Sequence, residues 1–299
     1  MPGHPAPLAQ EGKVSMLNRK IIIFIVGPTA AGKTAVAVRL ARRIGGEIVS
    51  CDSMQIYRRM PILSQSPSAR DRKAVRHHLV SALDPSREYS AAAYVRSATA
   101  AIESIIRRGK VPIVAGGTGL YAKALIDGLF PSPKADAPFR TKMRSYALRY
   151  GNERLHGKLA KADPGAARLI HPNDTRRVIR ALELHRSTGK TTAELKAGTR
   201  GLKDRYDIRI FGIAMPRHRL YAAINARVDR MIALGALGEV KRLRKRKLSK
   251  TSRAVLGFKE LSSCLDGKAG LAASIEKMKM NTRRFAKRQL CWFGADGRI

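Results

Sequence analysis

The chain has 299 residues, with 59 Lys or Arg against 22 Asp or Glu, so its formal net charge is +37. A charge of that size excludes an enzyme that meets only small neutral substrates, and it points to a polyanion: nucleic acid first, an anionic membrane surface second. Hydrophobic residues make up 44% of the chain, enough for a packed core, which excludes a wholly disordered basic protein.

Residues 1–20 carry Pro, Gly and charge without a sustained apolar stretch, and read as a disordered tail rather than a signal peptide. Ile21–Val26 (IIIFIV) is continuous and rich in β-branched residues, which predicts a strand buried on both faces. It is also the longest clean apolar run, far short of the roughly 20 residues a membrane helix needs. A Gly-rich turn and a helix from about Thr34 to Ile44 follow. Glu47–Cys51 reads as a second strand, ending at Asp52. Tyr89–Arg108 has Val95, Ala98, Ile102, Ile105 and Ile106 on one helical face, Ser90 as N-cap and Gly109 as stop. Val111–Ala115 is a third strand, followed by Gly116-Gly117-Thr118-Gly119 and a helix to about Asp127; Ile208–Ala214 is a fourth strand. This alternation predicts an α/β fold with a parallel sheet core flanked by helices.

From 129 to 205 no strand pattern is visible, only helical stretches split by Pro131, Pro133, Pro138, Pro164 and Pro172. The expected organisation is therefore a core of 21–128 and 206–299 with a helical insertion domain at 129–205. The C-terminal part of the core is helical and basic: residues 241–259 hold nine Lys or Arg and no acid, and 277–288 hold six and no acid. Cys51, Cys264 and Cys291 are too few and too far apart for a disulfide framework or a cysteine zinc site, so a reducing, cytoplasmic location is expected.

Gly27-Pro28-Thr29-Ala30-Ala31-Gly32-Lys33-Thr34 matches G-x-x-x-x-G-K-[ST] between a buried strand and a helix, which makes the core P-loop-type. The glycines let successive N–H groups point at an anion, the helix start adds positive potential, Lys33 reaches an outer phosphate, and the Thr34 hydroxyl is a Mg²⁺ ligand. The motif does not choose among ATP, GTP and a diphosphate ester. A nucleotide-using phosphotransferase also wants an acid at the end of a second buried strand. Val111–Ala115 runs into Gly-Gly without one, and only Asp52 stands at a strand end. Asp52 reads equally as a helix cap or as a base at the carboxyl edge of the sheet. His77-His78 has no cluster of carboxylates or thiols to make it a metal site.

Further segments complete a pattern: SCDSMQIYR (50–58), HHLVSALDP (77–85), YSAAAY (89–94), GKVPIVAGGTGLYAKAL (109–125), IHPNDTRRVIRALEL (170–184), TGK (188–190), INARVDRM (224–231), LGFKEL (256–261) and NTRRFAKRQLCWF (281–293). With the phosphate loop, they resemble the tRNA dimethylallyltransferase (tRNA isopentenyltransferase, IPP transferase) family of bacterial type, from about Ile21 to Phe293. The resemblance implies transfer of a dimethylallyl group from dimethylallyl diphosphate to N6 of the adenosine 3′-adjacent to the anticodon, in tRNAs reading codons that begin with U. It implies Mg²⁺, a tRNA anticodon stem-loop partner, no membrane, and action as a monomer. The loop residues 27–34 would then hold a leaving diphosphate, and Asp52, Thr34 and Arg227 would be catalytic, Asp52 as the base for the N6 proton. Asp52, Ser53, Met54, Gln55, Thr118, Arg140, Arg176, Arg177, Val178, Ile179, Arg180, Arg253, Gly257 and Phe258 would face the tRNA. The competing reading of the arginines is solvated surface, and of His171 a structural helix start. The chain departs from the family pattern at Leu63-Ser64-Gln65-Ser66-Pro67, with Ser66 where a Lys is usual, and at Cys291 and Gly294. A P-loop phosphotransferase acting on RNA or a small molecule is the alternative.

Overall fold

The computed structural model describes residues 20–130, 133 and 135–299. The tail expected at 1–20 lies outside the described residues except for Lys20, as does Pro131.

The chain forms two compact units, one running to Ile126 and resuming at Leu202, the other comprising Asp127–Gly201. The first unit is built on a five-stranded, all-parallel sheet of order β3-β2-β4-β1-β5. Its strands are β1 (Ile21–Val26), β2 (Glu47–Ser50), β3 (His77–His78), β4 (Pro112–Gly116) and β5 (Asp207–Gly212). The apolar run of β1 is continuous because both faces are covered. Ile22, Phe24 and Val26 pack with Tyr94, Ala98, Ile102 and Ile105 of α3 (Ala91–Arg107) on one face. Ile25 meets Ala37, Val38 and Ala41 of α1 (Lys33–Ile44) on the other. Ser90 caps α3 as expected, its hydroxyl accepting from the Ala93 N–H at 3.2 Å.

Two short elements depart from the sequence reading. β3 is a fifth strand of only two residues, pairing Ile48 with His77 and Val49 with His78. His78 Nε2 lies 2.8 Å from Glu47 Oε2, beside Arg108 and Lys110 on the same carboxylate. α2 (Ala69–Ala74) is started by a capping box between Ser68 and Asp71 rather than by apolar periodicity. The helix α4 (Gly119–Asp127) follows β4.

The second unit contains α5 (Ala137–Tyr150), α6 (Asn152–Ala162), α7 (Pro164–Leu169), α8 (Thr175–Thr188) and α9 (Thr192–Ala197), with no strand among its described residues. Leu155, Leu159, Val178, Ile179 and Leu182 form its core. The chain then enters β5 and the basic helices α10 (Arg217–Ala233), α11 (Ala236–Arg244), α12 (Phe258–Leu265) and α13 (Leu271–Gly294). Met60, Leu63, Val228, Met231, Val240, Phe258 and Met278 pack them against the segment after Asp52.

Candidate active site

Three loops leave the carboxyl ends of neighbouring strands and meet at one edge of the sheet: the phosphate loop after β1, Asp52-Ser53-Met54-Gln55 after β2, and Gly117-Thr118 after β4. This is the edge where parallel α/β sheets place ligands. The loops line a cavity of about 670 Å³, together with α10, α13 and the segment 63–68.

The phosphate loop is a strained, anion-ready turn. Gly27 has φ 144° and a Cβ there would stand 3.0 Å from the Ile213 carbonyl, so only glycine fits. Ala30 also sits at positive φ, 67°, an expense that loops at functional sites accept. α1 has no acid in its first turn, so its positive N-terminal end is left for a ligand. Lys33 Nζ donates to the Pro28 carbonyl at 2.7 Å. Burial lowers its pKa to about 8, against the pull of nearby Asp52 and with a further push from Arg227. Arg227 projects from α10 and donates to Thr29 Oγ1 at 3.2 Å. Its pKa is also lowered by burial, then by Arg230, while Asp52 opposes the shift.

Asp52 caps a turn, not a helix. Its Oδ1 accepts from the backbone N–H of Met54 at 2.8 Å and of Gln55 at 3.4 Å. Burial raises its pKa above the usual carboxylate range, outweighing those bonds and the nearby Lys33. A desolvated carboxylate with fixed orientation is a better proton acceptor than one in water. Thr118 holds the neighbouring backbone: its Oγ1 accepts from the Ser53 N–H at 3.1 Å. Gln55 is fixed by Ser50 Oγ at 2.8 Å and reaches the Gln65 carbonyl at 3.0 Å. Gly116 permits the β2 and β4 loops to touch, since a Cβ there would lie 2.1 Å from the Cys51 carbonyl.

Part of the wall is apolar: Leu63, Val228, Met231, Val255 and Met278, all of one apolar cluster, line the cavity. The cavity thus offers a cationic loop for an anionic group, an apolar wall for a hydrocarbon, and a carboxylate. Thr34 lines it too. No group of three His, Cys, Asp or Glu side chains occurs among the described residues that could cage a metal ion. Thr34 Oγ1 is the protein oxygen that would hold a hard divalent cation here, its remaining ligands coming from a bound anion and water.

Several residues expected at the tRNA have other work. Val178 and Ile179 are buried in the core of the second unit, because α8 needs an apolar stripe there. Arg140 and Arg180 are not free cations: Arg140 grips the buried Glu183 with Nε at 2.8 Å and a terminal nitrogen at 2.7 Å, and Arg180 pairs with the same carboxylate. Glu183 also accepts from the Asp136 N–H at 2.7 Å. Phe258 is buried in the apolar cluster of the C-terminal helices, and Gly257 is buried at φ 92° beside Met278. Arg176, Arg177 and Arg253 are exposed. His171 accepts from the Asn173 N–H ahead of α8, a structural role.

The residue that sequence reading passed over is Gln289. Its carboxamide accepts from the Thr29 N–H at 2.8 Å and donates to the Gly117 carbonyl at 2.7 Å. The available signal was positional: Gln289 falls on the buried stripe of α13 with Met278, Thr282, Ala286 and Phe293, where a polar side chain needs a partner.

A sequence profile of the IPP transferase family matches residues 55–296. A protein named tRNA dimethylallyltransferase from Shouchella clausii is 45% identical over 93% of this chain and 89% of its own length. The crystal structure of the full-length tRNA isopentenylpyrophosphate transferase from Bacillus halodurans superposes with a TM-score of 0.69 at 40% identity, covering 94% of this chain and 89% of that one. A eukaryotic dimethylallyltransferase acting on tRNA gives 0.77 at 33% identity, covering 92% and 70%. With the phosphate loop, Asp52 and Arg227 gathered around one cavity of this shape, the chain belongs to the IPP transferase family.

Proposed function

We propose that this chain transfers the dimethylallyl group of dimethylallyl diphosphate to N6 of the adenosine 3′-adjacent to the anticodon, in tRNAs reading codons that begin with U. The products are N6-(dimethylallyl)adenosine and diphosphate. The observation that carries this reading is the composition of the cavity, with the phosphate loop, the desolvated Asp52 and an apolar wall of Leu63, Met231 and Met278 around one space. A donor with an anionic head and a hydrocarbon tail suits those walls. A phosphotransferase would want an acid after β4, where Gly116 and Gly117 stand.

In this reading the target base leaves its stack to reach Asp52, because a stacked base keeps its exocyclic atom out of a recessed pocket. Asp52 accepts the N6 proton as the N–C bond forms and the allylic C–O bond breaks, a contribution of about 10²–10⁴-fold. The charge growing on the departing diphosphate is met by the N–H groups at the start of α1, by Lys33 and by Arg227. Mg²⁺ at Thr34 would supply further neutralisation of that charge. Ser53, Met54, Gln55 and Thr118 surround the base, and the exposed Arg176, Arg177 and Arg253 take phosphates of the stem-loop. The three free cysteines suit the cytoplasm. No helix among the described residues is long and apolar enough to cross a membrane.

The test is incubation of the full chain with unmodified tRNA, Mg²⁺ and either radiolabelled dimethylallyl diphosphate or γ-labelled ATP. Label entering tRNA from the prenyl donor alone is expected. Label from ATP alone would sink the reading in favour of a phosphotransferase.

A further inference from the structure

The two halves of the proposed reaction sit on different loops. The diphosphate belongs to the loop after β1, whereas the acceptor base belongs to the loops after β2 and β4. Their relative position decides whether N6 meets the allylic carbon, yet no strand pairing fixes one loop against another beyond the sheet edge. Gln289 is the side chain that spans them. It is 6% exposed, and its one carboxamide uses both ends: Oε1 accepts from Thr29 N–H of the phosphate loop at 2.8 Å, while Nε2 donates to the Gly117 carbonyl at 2.7 Å. Gly117 precedes Thr118, whose hydroxyl holds the Ser53 N–H beside Asp52. A continuous chain of bonds therefore runs from the anion loop through Gln289 to the base-side loop. Gly117 makes room for it: a Cβ there would lie 2.3 Å from Gln289 Nε2. The orientation is set by the partners, because a donor on one side and an acceptor on the other leave one way to place the amide.

We infer that Gln289 is a positioning residue that sets the distance between the diphosphate and the acceptor base by clamping Thr29 to Gly117. The inference rests on the prenyl-transfer reading. Gln289 lines the cavity, but both ends of its carboxamide are spent on the two loops. Its effect is on alignment, where a displacement near 1 Å costs about 10² in rate. Because the Thr29 N–H is engaged by Gln289, the clamp also holds the first half of the phosphate loop in place before any anion arrives.

The experiment uses two variants of the full chain. Gln289→Met keeps length and loses both bonds; Gly117→Ala keeps the carboxamide and pushes it aside. For both, kcat at saturating donor and tRNA should fall about 30- to 100-fold, with KM for tRNA within about threefold of wild type. Calorimetry with inorganic pyrophosphate as probe should show Kd raised about three- to tenfold in Gln289→Met. A kcat within about threefold of wild type in both variants, with only the melting temperature lowered, would overturn the clamp and leave Gln289 a packing residue. A wild-type chain that transfers no prenyl group would overturn the function reading instead; equal pyrophosphate affinity in wild type and Gln289→Met would then overturn the clamp independently.

Discussion

The core of the second unit and the cavity of the first treat buried charge in opposite ways. In the second unit Glu183 is 3% exposed and satisfied completely, gripped by Arg140 and Arg180 and by a backbone N–H, and its pKa is driven down to about 2 by those bonds against the cost of burial. In the first unit Asp52, Lys33 and Arg227 share one cavity and feel each other's fields, but Lys33 bonds a carbonyl, Arg227 a hydroxyl and Asp52 two amides. Burial moves all three towards their neutral forms. Charges that neutralise each other at contact build a scaffold. Charges held close but unpaired store the capacity to act on something that has yet to arrive.

The comparison breaks first at Asp52. Asp52→Asn should lower kcat about 10²–10⁴-fold while tRNA affinity stays within about tenfold, read by single-turnover transfer and filter binding. Wild-type rates would show that the unpaired carboxylate is no base. In the second unit, Glu183→Gln should leave chemistry near wild type and instead destabilise locally, by about 2–3 kcal/mol, read as faster amide exchange along Thr175–Thr188. The sign with pH follows from the shift. The folded pKa of Glu183 lies below its ordinary value, so its contribution is full above about 4.5 and is lost as pH falls towards about 2. Slow exchange at pH 2.5 equal to that at pH 6, after correction for intrinsic rates, would refute the pairing.

The smallest effect sharpens the picture at Lys33. With its pKa lowered to about 8, the ammonium that the proposed reaction sets against the diphosphate is lost as pH rises through that value. The kcat/KM for the donor should fall about tenfold per unit on the alkaline side, and Lys33→Arg should move that limb to higher pH. In the proposed reaction the acid limb belongs to Asp52, above the usual carboxylate range, and should vanish in Asp52→Asn.

What the sequence made legible was whatever depends on local pattern. The buried β1, the anion loop and the acid at the end of β2 are each written in a few adjacent residues. β3 was hidden because two histidines carry no apolar pattern and pair only because Ile48 and Val49 present an open edge. α2, with the sequence ARDRKA, has no buried face at all and is set by its capping box. The arginines were the hardest case. Arg140 and Arg180 look like the exposed Arg176 and Arg177 until the fold places Glu183 between them, and that partner is 43 residues from Arg140. Gln289 was similarly opaque, since its two partners lie 260 and 172 residues away.

The segment 63–67 is tied to α11 through its main chain. The buried Glu239 of α11 accepts from the backbone N–H groups of Ile62 at 3.0 Å and Leu63 at 2.8 Å. Ser64 and Ser66 join their hydroxyls at 2.8 Å. The N–H groups of Ser64, Gln65 and Ser66 add bonds to the carbonyls of Met60, Ile62 and Pro61, so main chain and side chains hold the turn together. Leu63 and Gln65 nevertheless form part of the cavity wall. The segment thus carries the buried Glu239, which does not itself line the cavity, to the cavity wall: loss of that carboxylate would be felt there through the main chain of Ile62 and Leu63.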